Sequence, residues 1–106
     1  MRPEEYGLEV TVEIIDVGQA ALYLSNNAKH RPIKEKKVAE YMAEMRDGKW
    51  RLNGKTICFD TTGRLLNGQH RLSAVIRSGV PLTTVVIRGL DPDLVPAKAE
   101  EPVTNE

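Results

Sequence analysis

The chain has a single cysteine, Cys58, among its 106 residues. One thiol cannot close an intrachain disulfide, and one chain cannot build a cysteine-based metal site from it. Histidine is almost as scarce. His30 and His70 are the only two, neither has a clear carboxylate partner, and no metal site is expected. No apolar run approaches the ~18 residues needed to cross a bilayer. The opening Met1-Arg2-Pro3-Glu4-Glu5-Tyr6 has no apolar signal-peptide core behind it. A cytoplasmic protein without a membrane partner is the resulting expectation. There are no internal repeats, and the length suits one compact domain rather than two.

Hydrophobic residues make up 41% of the chain and charged residues 28%, enough for an ordinary small core. The formal net charge of zero hides a segregated pattern. Residues 1–28 sum to −4, residues 29–88 to +8 and residues 89–106 to −4. A basic middle suggests a polyanionic partner, because phosphate neutralisation drives nucleic-acid binding. A solvated surface flanked by acidic tails gives the same pattern.

The local pattern predicts an α+β fold. Leu8–Ile15 alternates with period two, placing Leu8, Val10, Val12 and Ile14 on one face of a half-buried strand. Asp16 then caps a short helix through Leu24, and residues 27–32 form a loop because Pro32 biases Arg31 away from helix. From Ile33 to Arg46, Val38, Tyr41, Met42 and Met45 follow the spacing of one helical face, and Asp47-Gly48 stops that helix. Trp50 and Leu52 lead into an Asn53-Gly54 turn. Thr56–Phe59 and Arg64–Leu66 read as strands about an Asp60–Gly63 turn, with Cys58 a buried small residue on the first. Asn67 suits the N-cap of a helix over 68–78, Leu82–Ile87 is a further strand, and 91–106 reads as a disordered acidic tail. The expected core is Val10, Val12, Leu22, Val38, Tyr41, Met42, Met45, Ile57, Phe59, Leu65, Leu72, Val75, Ile76, Val85 and Ile87.

The chemistry concentrates in Asn67-Gly68-Gln69-His70-Arg71, where a strand gives way to a helix. The first N–H groups of a helix point out of its start at the positive end of its dipole, which makes such a terminus a ready anion site. Gly68 lets a ligand approach the backbone. His70 and Arg71 add donor side chains, and Arg71 offers a planar fork suited to phosphate. A structural helix start, with His70 bonded to a neighbouring carbonyl, accounts for the same residues.

The order helix, turn, strand, Gly-turn, strand, Gly-x-His-Arg-x-x-Ala, helix, strand resembles the N-terminal domain of ParB partition proteins. In this sequence Asn27, His30, Arg31 and Pro32 stand in the first loop, and Gly68, Gln69, His70, Arg71 and Ala74 stand in the motif. The match spans roughly residues 28–90, within a single domain over residues 1–90. The Gly-Gln-His-Arg-Leu form is similar to phage and mobile-element proteins labelled ParB-like nuclease domains. The fold this implies is the ParB/sulfiredoxin-like one, a small mixed sheet packed by about three helices.

The resemblance implies a phosphate-binding module acting on a nucleotide or DNA, in which Asn67, Gly68, Gln69, His70 and Arg71 hold the phosphate and Arg31 assists across the cleft. Lys29 and Arg64 stand at the rim. The cofactor it would bring is a nucleoside triphosphate with Mg²⁺. A second reading is a nuclease or nucleoside triphosphatase, with His70 as general acid/base and Asp60, on a turn facing the same end of the sheet, holding Mg²⁺ or orienting water. A third is a regulator that binds a host protein, and a homodimer is compatible with all three. Gln69 stands where sulfiredoxins carry their catalytic cysteine and where ParB commonly has Glu, so reductase chemistry is not expected. The later ParB motifs and its helix-turn-helix domain do not fit within the 106 residues.

Overall fold

The computed structural model describes residues 7–27, 32–48 and 56–91. In chain order the elements are β1 (Glu9–Ile15), α1 (Val17–Leu24), α2 (Glu35–Arg46), β2 (Thr56–Asp60), β3 (Leu65–Asn67), α3 (Gln69–Ser78) and β4 (Leu82–Leu90). The four strands form one mixed sheet in the order β1-β4-β2-β3. β1 runs antiparallel to β4, β2 parallel to β4, and β2 antiparallel to β3. The fold is α+β, as the residue pattern predicts. Trp50, Leu52, the Asn53-Gly54 turn, Lys29, His30, Arg31 and the acidic tail from 92 onward lie outside the described residues.

Local chemistry sets most boundaries. Asp16 caps α1, its Oδ1 accepting from the Gln19 N–H at 2.8 Å, which satisfies one of the four amides a helix start leaves over. α2 begins only after Pro32 has passed. It carries Glu35 in its first turn and Arg46 in its last, each matching the helix dipole. Arg77 of α3 forks onto Glu35, tying the two helices together at the surface.

The third helix is the centre of the molecule. It packs against both α1 and α2, and every residue from Gln69 to Val75 is buried. Helices cover one face of the sheet, where Ile15, Ile57, Phe59, Leu65, Leu82 and Val86 meet Val38, Tyr41, Met45, Leu72 and Val75 in one cluster. Tyr23 of α1 adds an edge-to-face contact with Phe59, ring centroids 4.8 Å apart. Cys58 is buried on β2 as expected, its Sγ 3.2 Å from the Thr56 hydroxyl.

The alternation of β1 is present, but its sense is reversed. Val10 and Val12, expected in the core, are 48% and 62% exposed, and Ile14 is 74% exposed. Residues of the opposite parity, Thr11, Glu13 and Ile15, face the helix layer: they pair with Val86, Thr84 and Leu82, which are buried there. Glu13 is accommodated because Arg88 Nη1 donates to it at 2.7 Å and the Tyr23 hydroxyl at 2.7 Å, so its charge is paired at the margin of the core. Two further core expectations fail: Leu22 and Ile76 lie at the solvent side of their helices. Met42, Val85 and Ile87 are half-buried.

Candidate functional site

The junction of β3 and α3 is shaped by one glycine. Gly68 is the N-cap, with φ 117° and ψ 9°, and no side chain caps the helix. Asn67, expected at that position, is instead the last residue of β3, paired with Cys58. The reason is steric. The chain turns through a left-handed conformation open chiefly to glycine, and a Cβ on Gly68 would collide with Ile57 Cδ1. The first intrahelical bond runs from Leu72 N–H to Gly68 O at 3.0 Å, so Gln69, His70 and Arg71 form the first turn, at the positive end of the dipole. Asn67 Oδ1 is buried with no hydrogen-bond partner among the described residues, a cost of about 1–3 kcal/mol for such an acceptor.

The motif side chains point inward. Gln69 and His70 are each 3% exposed and Arg71 is fully covered. Gln69 acts as a clasp. Its Oε1 accepts from Asn27 Nδ2 at 2.8 Å, and its Nε2 lies at a long 3.5 Å from the Pro32 carbonyl. Asn27 and Pro32 flank residues 28–31, so both ends of that segment are held to one side chain. His70 Nε2 accepts the Lys34 N–H at 3.0 Å. This bond needs the Nε2 lone pair and therefore assigns the neutral ring its proton at Nδ1. Nε2 of His70 is thus committed to the backbone at the start of α2. Asn27, Pro32 and Lys34 are thus each bonded to the first turn of α3.

Asp60 stands elsewhere. It closes the β2–β3 turn, whereas Gly68 follows the far end of β3, so the hairpin separates the two rather than bringing them to one end of the sheet. Its Oδ1 accepts from the Thr62 N–H at 2.8 Å, the Thr62 hydroxyl at 2.6 Å and the Arg64 N–H at 2.9 Å, and its Oδ2 from Arg64 Nε at 3.3 Å. Burial pushes its pKa up, but those bonds and the Arg64 charge outweigh burial and hold the carboxyl down at about 2. A carboxylate this fully used by its own turn is a structural anchor. Among the described residues no group of three or more His, Cys, Asp or Glu side chains could hold a metal ion.

The described residues also form an open groove of about 520 Å³ between the end of α1 and the β2–β3 turn, lined by Tyr23, Phe59, Asn26 and Arg88 among others. The Arg88 guanidinium lies 5.3 Å from the Phe59 ring centre and 5.9 Å from that of Tyr23. Its Nη2 donates to the Tyr23 hydroxyl at 2.8 Å, besides the bond to Glu13. The charge in this groove is therefore spent on internal contacts. Composition alone gave no signal for this triad, because Glu13, Tyr23 and Arg88 are brought together only by the fold.

A scan against protein-family models, a search of curated proteins and a search of solved structures each found no match.

Proposed function

We propose that the chain is a phosphate-binding module that takes a phosphate of a nucleotide or of DNA at the opening of α3. One observation carries the reading: α3 starts on Gly68 without a side-chain cap, with the amides of its first turn at the positive end of its dipole. An anion is the natural complement of such a start. Arg71, buried in the first turn, adds positive charge behind those amides. Lys29 and Arg31 lie in the short segment between Asn27 and Pro32, both of which Gln69 holds, and supply the outer cationic contacts.

In this reading Gln69 and His70 are positioning residues that fix the α1–α2 loop over the anion, and neither performs chemistry. The test is thermal stabilisation and calorimetric titration with nucleoside triphosphates, with and without Mg²⁺, and with short DNA duplexes at low salt. A ligand at one hundred times its Kd stabilises the folded state by about 2.7 kcal/mol, several degrees of melting temperature for a domain of this size. Arg31→Ala and Lys29→Ala reduce that shift without lowering the unliganded melting temperature. Absence of binding by every member of the panel at low salt would remove the reading.

A further inference from the structure

Among the described residues, β1 leaves both an edge and a face open. It has β4 on one side and, among the described residues, no strand on the other. Val10, Val12 and Ile14 are the most exposed run of large apolar side chains on the sheet. Their neighbours on β4, Ile87, Val85 and Thr83, share that face and are themselves partly open. The three β1 side chains, 48%, 62% and 74% exposed, form with them a contiguous apolar patch rather than scattered single residues. An open β-branched edge strand is a template for another strand.

We propose that β1 pairs antiparallel with β1 of a second copy about a two-fold axis at Val12, joining two four-stranded sheets into one of eight. The strand is its own complement in that register. Full overlap of the seven residues requires the axis at Val12. It sets Val10 against Ile14 and Val12 against Val12, so that one continuous apolar stripe runs across both copies. On the other face it sets Thr11 against Glu13 and Glu9 against Ile15. Moving the axis one residue back to Thr11 would oppose Glu9 with Glu13, and moving it forward to Glu13 would oppose Glu13 with itself. Like charges directly opposite are unfavourable, so the glutamates exclude the adjacent registers. Within each copy the acidic side is already compensated by Arg88, 2.7 Å from Glu13 and 4.0 Å from Glu9. Isologous pairing of this kind closes on itself and leaves no growing edge at β1.

The interface is small, so the dimer forms weakly, with a Kd in the micromolar range or above. Sedimentation velocity over a concentration series spanning that range reads it directly. The parent shifts from monomer to dimer, whereas Val12→Glu and Val12→Lys alone stay monomeric, because each places two like charges at the axis. An equimolar mixture of the two variants restores the dimer. Val12 is mostly exposed, so both variants keep the parent circular dichroism. In a Cys58→Ala background, Val12→Cys oxidises to a covalent dimer, since directly opposed strand residues lie within disulfide reach. Val10→Cys does not, because its own copy lies four residues away along the pair. A parent that remains monomeric throughout, a Val12→Glu variant that still dimerises, or equal crosslinking at positions 10 and 12 would each overturn the proposal.

Discussion

Replacing Gly68 by alanine tests whether the opening of α3 is built on a backbone that side chains cannot share. Gly68 and Gly79 sit at opposite ends of the same helix, both left-handed, at φ 117° and 76°. A Cβ at Gly79 meets nothing within 4 Å, whereas one at Gly68 collides with Ile57 Cδ1, with Ile57 Cγ1 and Cγ2 each 3.5 Å away. Gly79→Ala therefore costs the left-handed strain alone, about 1–2 kcal/mol. Gly68→Ala adds overpacking of about 1–3 kcal/mol, for roughly 2–5 kcal/mol in all. That is a large share of the 5–15 kcal/mol expected for a domain. Ile57→Val removes the Cδ1 atom at a cost of about 0.5–1.5 kcal/mol. In the Gly68→Ala background it relieves the collision, and the double variant is about 1–2 kcal/mol more stable than the sum of the singles. Urea unfolding followed by circular dichroism measures the four variants against the parent. Equal costs at the two glycines, or strict additivity with Ile57→Val, would refute the steric account of this turn.

Asp60→Asn removes the charge that the β2–β3 turn holds. With a folded pKa of about 2 against an ordinary 3.8, the carboxylate contributes stability that is fully present above the unfolded value and is lost as pH falls through the folded one. The gap between parent and variant is about 1–2 kcal/mol at neutral pH, discounted for the half-exposed Arg64, and closes between pH 4 and 2. A gap independent of pH in urea midpoints would show that the charge is not what matters. Gln69→Ala releases Asn27 and Pro32 together, costs about 1–3 kcal/mol, and raises trypsin cleavage after Lys29 several-fold. Unchanged cleavage would mean that Gln69 does not restrain the loop.

The two long helices were legible because their signals are local. The spacing of Val38, Tyr41 and Met45 places all three in the core, and Gly79 ends α3 where it was expected. The burial of α3 was not legible. Gln69, His70, Arg71 and Ser73 are polar, and a hydrophobic pattern assigns polar residues to solvent, yet α1, α2 and the contacts from Asn27, Pro32 and Lys34 bury them. The β1 error has a different origin. Period-two alternation defines two faces of a strand but does not say which one faces inward. Glu13 can face the helix layer only because Arg88, 75 residues away, and Tyr23 satisfy it, and that pairing is set by topology. The N-cap was misplaced by one residue because Asn67 has the right chemistry, whereas the deciding term was the approach of Ile57 to Gly68.

The two proposed surfaces make a joint prediction that separates nucleotide from DNA as the ligand. β3, which leads into Gly68, is the opposite edge of the sheet from β1. Pairing of two β1 strands therefore places the two β3 strands at the outer edges of an eight-stranded sheet, seven strand spacings or about 33 Å apart. That separation is close to one turn of B-DNA, roughly 34–36 Å. A nucleotide occupies each opening independently, so Val12→Glu leaves its affinity unchanged. A duplex of two turns engages both openings at once, and losing the dimer lowers its affinity by tenfold or more as the second contact ceases to be intramolecular. Fluorescence anisotropy with a labelled duplex and a labelled nucleotide, at one fixed salt concentration, distinguishes the cases. Parallel losses for both ligands would mean that Val12 acts through the fold. Duplex binding that is insensitive to Val12→Glu, in a protein shown to dimerise, would confine the phosphate contact to a single copy.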